Sequence, residues 1–243
     1  MTNPLALVTG GAQRLGKAFA LTLARMGYSI ALHYNTSEKQ AQQTKAEIES
    51  IGVQVFLLRA DLTDPAQIES LLTELDFILH PSSFILKLLV NSAAIMPVGN
   101  PRELDLQDWN SALDLNLRAP FFLAQQSAKR MTAGGLIVNI TDIGAQKAWS
   151  RYPSYTVSKA GLESLTKLLA RALAPSIRVN AIAPGLVLPS DVVTQEQWDK
   201  LVEKLPLKRA ATLDEITSTL QFLINNEYIT GQTIVVDGGY SLI

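Results

Sequence analysis

Seven short runs of aliphatic residues recur along the chain, each separated from the next by a longer amphipathic or polar stretch. LALVT from Leu5, SIALHY, VQVFLLRA, ILKLLVN, GLIVNIT, SIRVNAIA and TIVVD read as strands, because Val, Ile and Leu follow one another almost without interruption. A strand wetted on one face alternates apolar and polar residues, whereas continuous runs need cover on both faces. The stretches between them predict helices from the first turn to about Met26, over Glu38–Ser50, from Pro65, over Leu106–Met131, over Pro153–Leu173 and over Leu213–Asn225. Strand and helix in alternation imply a parallel sheet with right-handed crossovers. The expected class is α/β, a doubly wound seven-stranded parallel sheet with helices on both faces.

At 243 residues the chain suits one such unit, and no repeat, linker or composition shift divides it, so residues 1–243 are expected to form a single domain. A chain of this length buries roughly 70–75% of its unfolded surface and needs no metal or disulfide for stability. The one irregular stretch is PGLVLPSD, from Pro184 to about Asp191, followed by a short helical pattern around Trp198. A long connection on a compact α/β unit is expected to be a lid, here over about 184–209. Cysteine is absent, which excludes thiolate catalysis, cysteine-based zinc sites and disulfides together. With 21 Lys+Arg against 22 Asp+Glu, no global field favours nucleic acid or an anionic membrane. MTNPLALVTGG lacks a basic leader and its apolar run is short, so a soluble cytoplasmic protein is expected.

TGGAQRLG, Thr9 to Gly16, follows the first strand and opens the first helix, the place of a dinucleotide-binding turn. Free N–H groups and the helix dipole favour an anion there, such as a pyrophosphate. A tight turn without a ligand would use the same glycines. Arg14 in the first helical turn opposes the dipole unless an anion joins it, and a guanidinium fork suits phosphate; a solvated surface arginine is the alternative. The second strand ends in His33, Tyr34, Asn35, Thr36 and Ser37 with no carboxylate before Glu38. Nothing there repels a ribose 2′-phosphate and hydroxyls can bind one, so NADP(H) is expected as cofactor. His33 is read either as an adenosine contact or as a strand histidine satisfied by its neighbours. Asp61 is read either as a contact to the adenine amino group or as a helix N-cap in DLTD.

In YTVSK, Tyr155 and Lys159 lie four residues apart and share a helix face. A phenol is a poor acid–base group at neutral pH, and a nearby ammonium is expected to lower its pKa. Tyr-x-x-x-Lys alone is a common surface pairing, but thirteen residues before Tyr155 the strand GLIVNIT runs into Asp142. Strand ends at that edge of a parallel sheet are where ligands bind; helix capping is the other reading of Asp142. Asn116, inside the helical stretch LDLNLRAP, is a polar residue whose burial needs a reason.

Together TGGAQRLG, Asp61, LVNSAA, Asn116, Tyr155 with Lys159, NAIAPG and ITGQTIVVDGG resemble the short-chain dehydrogenase/reductase superfamily over the whole chain. The resemblance implies a single-domain Rossmann fold, a nicotinamide cofactor and an Asn–Ser–Tyr–Lys tetrad. Asp142 stands where that serine is found, and Arg14 where the middle glycine is found. Both departures, with ALHYNTS and VDGGYSLI, are similar to the pteridine reductase branch, including dihydromonapterin reductases. The resemblance places Asn116, Asp142, Tyr155 and Lys159 at the reaction centre, Asn116 positioning a water that resupplies protons. It places Gly10, Arg14, Leu15, Gly16, Tyr34, Asn35, Thr36, Ser37 and Leu62 at the cofactor, with Asn91, Pro184 and Gly185. It places Arg14, Met96, Asp142, Tyr152, Tyr155 and Leu186 at a pterin or folate substrate. Three positions depart from the branch: Met96 for a stacking phenylalanine, Ala94 for a serine, and Thr36 for an arginine at the 2′-phosphate.

An ionised carboxylate cannot donate a hydrogen bond to the oxyanion that carbonyl reduction builds, so Asp142 opposes that chemistry unless protonated. It suits a dihydropterin C=N, where protonation at nitrogen builds positive charge. The expected activity is therefore NADPH-dependent pteridine reduction. A 3-oxoacyl-type carbonyl reductase and a catalytically silent NADP-binding sensor are the alternatives. An enoyl reductase fits less well, because that family spaces its tyrosine and lysine further apart. The superfamily further implies a homodimer or homotetramer formed through the two long central helices, where Ala160 and Gly161 would allow close packing.

Overall fold

The computed structural model describes residues 3–80, 84–147, 149–190 and 193–243; Asp191 of the irregular stretch lies outside them. Strands β1 (Asn3–Val8), β2 (Ser29–Tyr34), β3 (Val55–Arg59), β4 (Phe84–Asn91), β5 (Met131–Ile140), β6 (Ile177–Pro184) and β7 (Thr233–Val236) form one sheet. Every neighbouring pair is parallel, in the order β3-β2-β1-β4-β5-β6-β7. The expected seven-stranded parallel sheet is thus found. The helices are α1 (Arg14–Arg25), α2 (Glu38–Glu49), α3 (Pro65–Leu79), α4 (Leu106–Leu113), α5 (Ala119–Arg130), α6 (Pro153–Leu173), α7 (Gln195–Lys204) and α8 (Leu213–Asn225).

Side chains of successive strand residues point to opposite faces, so a continuous aliphatic run feeds two cores. On β1, Ala6 and Val8 join Phe19, Leu23, Ile48 and Leu220 beneath α1, α2 and α8. Leu5 and Leu7 join Leu71, Leu75, Leu123 and Leu169 beneath α3, α5 and α6. Each fully buried leucine contributes about 1.5–3 kcal/mol of transfer free energy. Asn139 ties the second layer to the sheet: it accepts from Asn91 Nδ2 at 2.9 Å and donates to Thr166 Oγ1 of α6 at 2.9 Å.

The stretch expected as one helix, Leu106–Met131, is instead two, joined by a π-helical turn at Asp114–Arg118. Pro120 has no N–H to return to the carbonyl four residues back. The ladder widens there, and the Ala119 N–H reaches Asp114 O, five residues back. The helix ends at Arg130 because Met131 is already extended and begins β5. The close packing at Gly161 is used within the chain, since a Cβ there would lie 2.9 Å from Leu117 Cδ2.

The sheet order reverses between β1 and β4, and the turn after β1 is built into that reversal. Thr9 Oγ1 accepts the Ser92 and Ala93 N–H groups, at 2.9 and 3.1 Å, clasping the ends of β1 and β4 together. Gly10 has φ 62 and passes so near β4 that a Cβ would meet Ala93 Cα at 2.9 Å. On the other side, His33 Nδ1 accepts the Gly10 N–H at 3.1 Å and Nε2 donates to Ala60 O at 3.0 Å. The buried imidazole is therefore neutral, and burial pulls its pKa down to about 4.

Two predictions concern this turn. A Cβ on Gly16 would sit 2.1 Å from the Gly10 carbonyl oxygen, so Gly16→Ala must lift α1 off the turn. The expected cost is roughly 3 kcal/mol in chemical denaturation; a loss below about 0.5 kcal/mol would contradict that seating. For His33, the unfolded imidazole takes its proton near pH 6.5 and the folded one only near about 4. Its contribution is complete above pH 6.5 and declines as pH falls towards about 4. Between about pH 7 and pH 5 it accounts for roughly 2 kcal/mol of lost stability. Urea unfolding of His33→Gln should show a pH dependence shallower by that amount, and identical slopes would refute the assignment.

Candidate active site

A continuous groove runs along the carboxyl ends of the strands in three chambers. The first, of about 530 Å³, lies over the glycine-rich turn and is lined by Gly10, Arg14, Leu15 and Gly16. His33, Tyr34, Asn35, Thr36 and Ser37 from the end of β2, with Asp61 and Leu62 after β3, also line it, whereas the expected Asn91, Pro184 and Gly185 do not. His33 lines it with both ring nitrogens already spent on the backbone, so the neighbour-satisfied reading holds. Asp61 is not the cap of α3; Asp64 is, accepting from the Ala66 N–H. Asp61 Oδ1 instead closes a turn with the Thr63 N–H and hydroxyl, at 2.9 and 2.7 Å. Ser37 precedes α2 without a side-chain cap, and the Glu38 N–H is given to Thr36 O at 3.0 Å.

Arg14 stands at the junction of the first two chambers, with φ 52, a backbone region costly to a non-glycine residue. Its guanidinium crosses to the connection after β6 and donates to Leu188 O at 3.3 Å and Pro189 O at 2.9 Å. Because its partners are backbone carbonyls, this bridge has no signature in the sequence.

The second chamber, about 250 Å³, is floored by Asp142 at the end of β5, Tyr155 and Lys159 on α6, and Pro184 and Gly185 after β6. The capping reading of Asp142 is realised, and its second oxygen meets Tyr155. Oδ1 accepts the Gly144 N–H at 2.6 Å and caps the short turn Ile143–Ala145, while Oδ2 accepts from the Tyr155 hydroxyl at 2.9 Å. Burial raises Asp142 above the ordinary carboxylate value; the Gly144 amide, the Tyr155 hydroxyl and the Lys159 charge oppose it. Lys159 is drawn down to about 8 by burial, against the pull of Asp142, and donates to Ile140 O at 2.7 Å. Tyr155 is raised well above 10 by burial, the Asp142 charge and the hydrogen bond to it. The expected lowering by Lys159 is thus reversed: the ammonium lies 5.7 Å from the ring centroid, while the carboxylate touches the hydroxyl.

Two of the expected site residues lie behind the groove rather than in it. Asn116 is fully buried in the π-helical turn, where its amide accepts from Ile95 N at 3.0 Å and donates to Ile95 O at 2.9 Å and Ser158 Oγ at 3.0 Å. Both Nδ2 hydrogens are thus spent within the protein, and Oδ1 retains one acceptor site. Asn91 is likewise buried and lines none of the three chambers. Its Nδ2 is given to Asn139, and its Oδ1 has no partner among the described residues.

The third chamber, about 680 Å³, opens outward from Asp142 and contains Met96, Tyr152 and Leu186, as expected for a substrate site. Sequence reading missed Trp149, Trp198 and Tyr240, which also line it. Trp149 packs against Tyr152 and Tyr240 with ring centroids 6.4 and 6.1 Å apart. Tyr240 is brought in from the far end of the chain, where Lys147 donates to Tyr240 O at 2.8 Å and to Ile243 O. The strip VDGGYSLI was noted in sequence, but without pairing information nothing assigned its tyrosine to the pocket.

A family model described as enoyl-(acyl carrier protein) reductase matches residues 10–241. The 3-oxoacyl-[acyl-carrier-protein] reductase FabG of Staphylococcus epidermidis is 34% identical over 245 residues, covering 98% of each chain. Among solved structures, the FolM alternative dihydrofolate reductase 1 from Brucella suis, in complex with NADP, is 37% identical. It superposes with a TM-score of 0.92 over 99% of this chain and 96% of its own. The angucycline C-6 ketoreductase LanV with bound NADP is 30% identical, with a TM-score of 0.94 over 100% and 97%. Whole-length identity to reductases, a match over residues 10–241 and the shared seven-stranded sheet agree: the chain belongs to the short-chain dehydrogenase/reductase superfamily.

Proposed function

We propose that the protein is an NADPH-dependent reductase of pteridines, adding hydride to carbon and a proton to nitrogen across a ring C=N bond. The observation that carries this reading is the Asp142 carboxylate, 2.9 Å from the Tyr155 hydroxyl. The cofactor assignment rests on the first chamber. Its glycine-rich turn joins β1 to α1, and Thr36 and Ser37 line the chamber beside the uncapped start of α2, which suits a 2′-phosphate. Neighbours of the same fold hold NADP. Arg14, Leu15, Gly16, Pro184 and Gly185 would contact the cofactor, which supplies the hydride when bound.

The remaining work falls to the protein's own groups. Burial keeps Tyr155 protonated, so it acts as a proton donor rather than a phenolate. Asp142, ionised, stabilises the positive charge that grows as the ring nitrogen is protonated, and accepts from the amino and N–H groups of a pterin. Lys159, with its pKa near about 8, sits where a proton can be exchanged at neutral pH. Met96 and Tyr152 would flank the ring, and Leu186 would close over it. Asn116 acts at one remove, fixing the Ile95 backbone beside the chamber. Residues 184–209 would form the lid of this single domain. Exposed Leu106, Phe122, Val157 and Leu168 on α4, α5 and α6 support pairing into a homodimer or homotetramer. No helix among the described residues is long and apolar enough to cross a membrane, in keeping with a cytoplasmic enzyme.

One observation favours a second reading, a carbonyl reductase. Burial raises Asp142, and a protonated carboxyl donates a hydrogen bond to an oxyanion as a serine would. FabG and LanV are named for such substrates. The four-residue spacing of Tyr155 and Lys159 still disfavours enoyl reduction, whatever the name of the family model.

The two readings part on pH and on substitution. If the carboxylate is needed, kcat/KM for a dihydropterin falls as pH drops through the raised Asp142 pKa. If the carboxyl is needed, activity on a 3-oxoacyl thioester rises over the same interval. Asp142→Ser should lower dihydropterin turnover roughly 100-fold while sparing or improving thioester turnover. Unchanged pterin kinetics in that variant would dispose of the carboxylate argument. NADPH binding without turnover of either substrate would indicate a sensor.

A further inference from the structure

The outer chamber has an aromatic wall that the proton chemistry at Asp142 does not use. Tyr152, Trp149 and Tyr240 stand in a row along it, Trp149 in the middle, with centroid distances of 6.4 and 6.1 Å. The row is seated on the turn that Asp142 caps. A Cβ on Gly144 would meet Trp149 Cε3 at 2.7 Å, and the Gly144 amide is the one that Asp142 holds. Tyr152 and Trp149 share one segment, the Tyr152 N–H reaching Trp149 O at 2.9 Å. Tyr240 instead follows Gly238 and Gly239, with φ 62 and 85. Glycines give the backbone little direction of their own, so contacts must set the place of this ring. Asp237 shapes the local turn, accepting the Gly239 and Ser241 N–H groups at 2.9 and 2.7 Å. That does not tie the turn to Trp149.

Lys147 makes the tie. Its carbonyl accepts the Trp149 N–H at 2.9 Å, while its ammonium donates to Tyr240 O at 2.8 Å and lies 4.6 Å from the Tyr240 ring centroid. One residue thus fastens both rings, with a charge-assisted hydrogen bond and a cation–π contact on the Tyr240 side. Lys147 itself lines none of the three chambers. We infer that Lys147 is a positioning residue: by holding Tyr240 against Trp149, it fixes the aromatic wall on which the substrate is seated. The inference rests on the reductase reading above, because the outer chamber must receive the substrate, but not on which of the two substrates is reduced. Without the ammonium, the segment after Gly239 is released and the substrate must order the wall as it binds. That cost falls on binding more than on the chemical step.

Steady-state kinetics on Lys147→Met, Lys147→Arg, Tyr240→Ala and the Lys147→Met/Tyr240→Ala pair, with NADPH and a dihydropterin, test the assignment. Lys147→Met should raise KM for the pterin about tenfold, with kcat and the KM for NADPH each within about twofold of the parent. Lys147→Arg, which keeps charge and donors, should restore KM to within about threefold. In the Tyr240→Ala background Lys147→Met should raise KM no further, because the ring it holds is gone. The near-ultraviolet circular dichroism of the Trp149–Tyr240 contact should weaken alike in Lys147→Met and Tyr240→Ala and return in Lys147→Arg. A KM unmoved by Lys147→Met, or an equal rise with and without Tyr240, would overturn the positioning role and leave the pterin reading standing. Turnover of a 3-oxoacyl thioester alone would overturn the pterin reading and carry the same comparison to that substrate. Turnover of neither would overturn both.

Discussion

The clasp between the ends of β1 and β4 is the constraint on which the rest of the molecule depends. Where the strand order reverses, the connections leaving β1 and β4 run to opposite faces of the sheet, and the crevice between them is the natural ligand site of such sheets. Here Thr9 holds the two strand ends together through two amides, and Gly10 closes the remaining distance by having no side chain. The start of α1 is thereby aimed into the crevice. His33 completes the arrangement from the other side, and because it does so as a neutral ring, the geometry of an anion site is held by a group that carries no charge. A protonated imidazole would lose the lone pair that receives the Gly10 amide.

The electrostatics of the reaction chamber follow from burial more than from pairing. Three ionisable groups share one poorly solvated space, and each is displaced towards its neutral form: Asp142 upward, Tyr155 upward, Lys159 downward. Mutual attraction between Asp142 and Lys159 moderates this without cancelling it. The chamber is therefore poised to exchange protons rather than to store fixed charge.

The architecture was legible because a doubly covered strand needs a nearly unbroken aliphatic run, and Leu5–Val8 of β1 and Ile30–Leu32 of β2 show one without any partner in view. The pairing of Tyr155 with Lys159 was legible because helix periodicity alone places them on one face. What escaped were features created by groups distant in sequence or lacking a side-chain signature. The break at Asp114–Arg118 depends on one missing amide at Pro120. The Arg14 bridge ends on carbonyls that every residue possesses. Tyr240 and Trp198 reach the pocket only through the packing of the chain's last third against Lys147 and α7. The role of Lys159 was misjudged for a related reason. Sequence spacing reports which groups are near, but it does not report how much water they have lost.

The double use of Asp142 bears on how such a site can change its chemistry over time. One carboxylate oxygen is occupied in holding the turn at Ile143–Ala145, a duty for which a serine hydroxyl is about as well suited. The scaffold thus asks only for a short oxygen-bearing side chain and is indifferent to its charge. On the proposed role of Asp142, substrate preference can drift between an acceptor and a donor without first dismantling the turn that supports it.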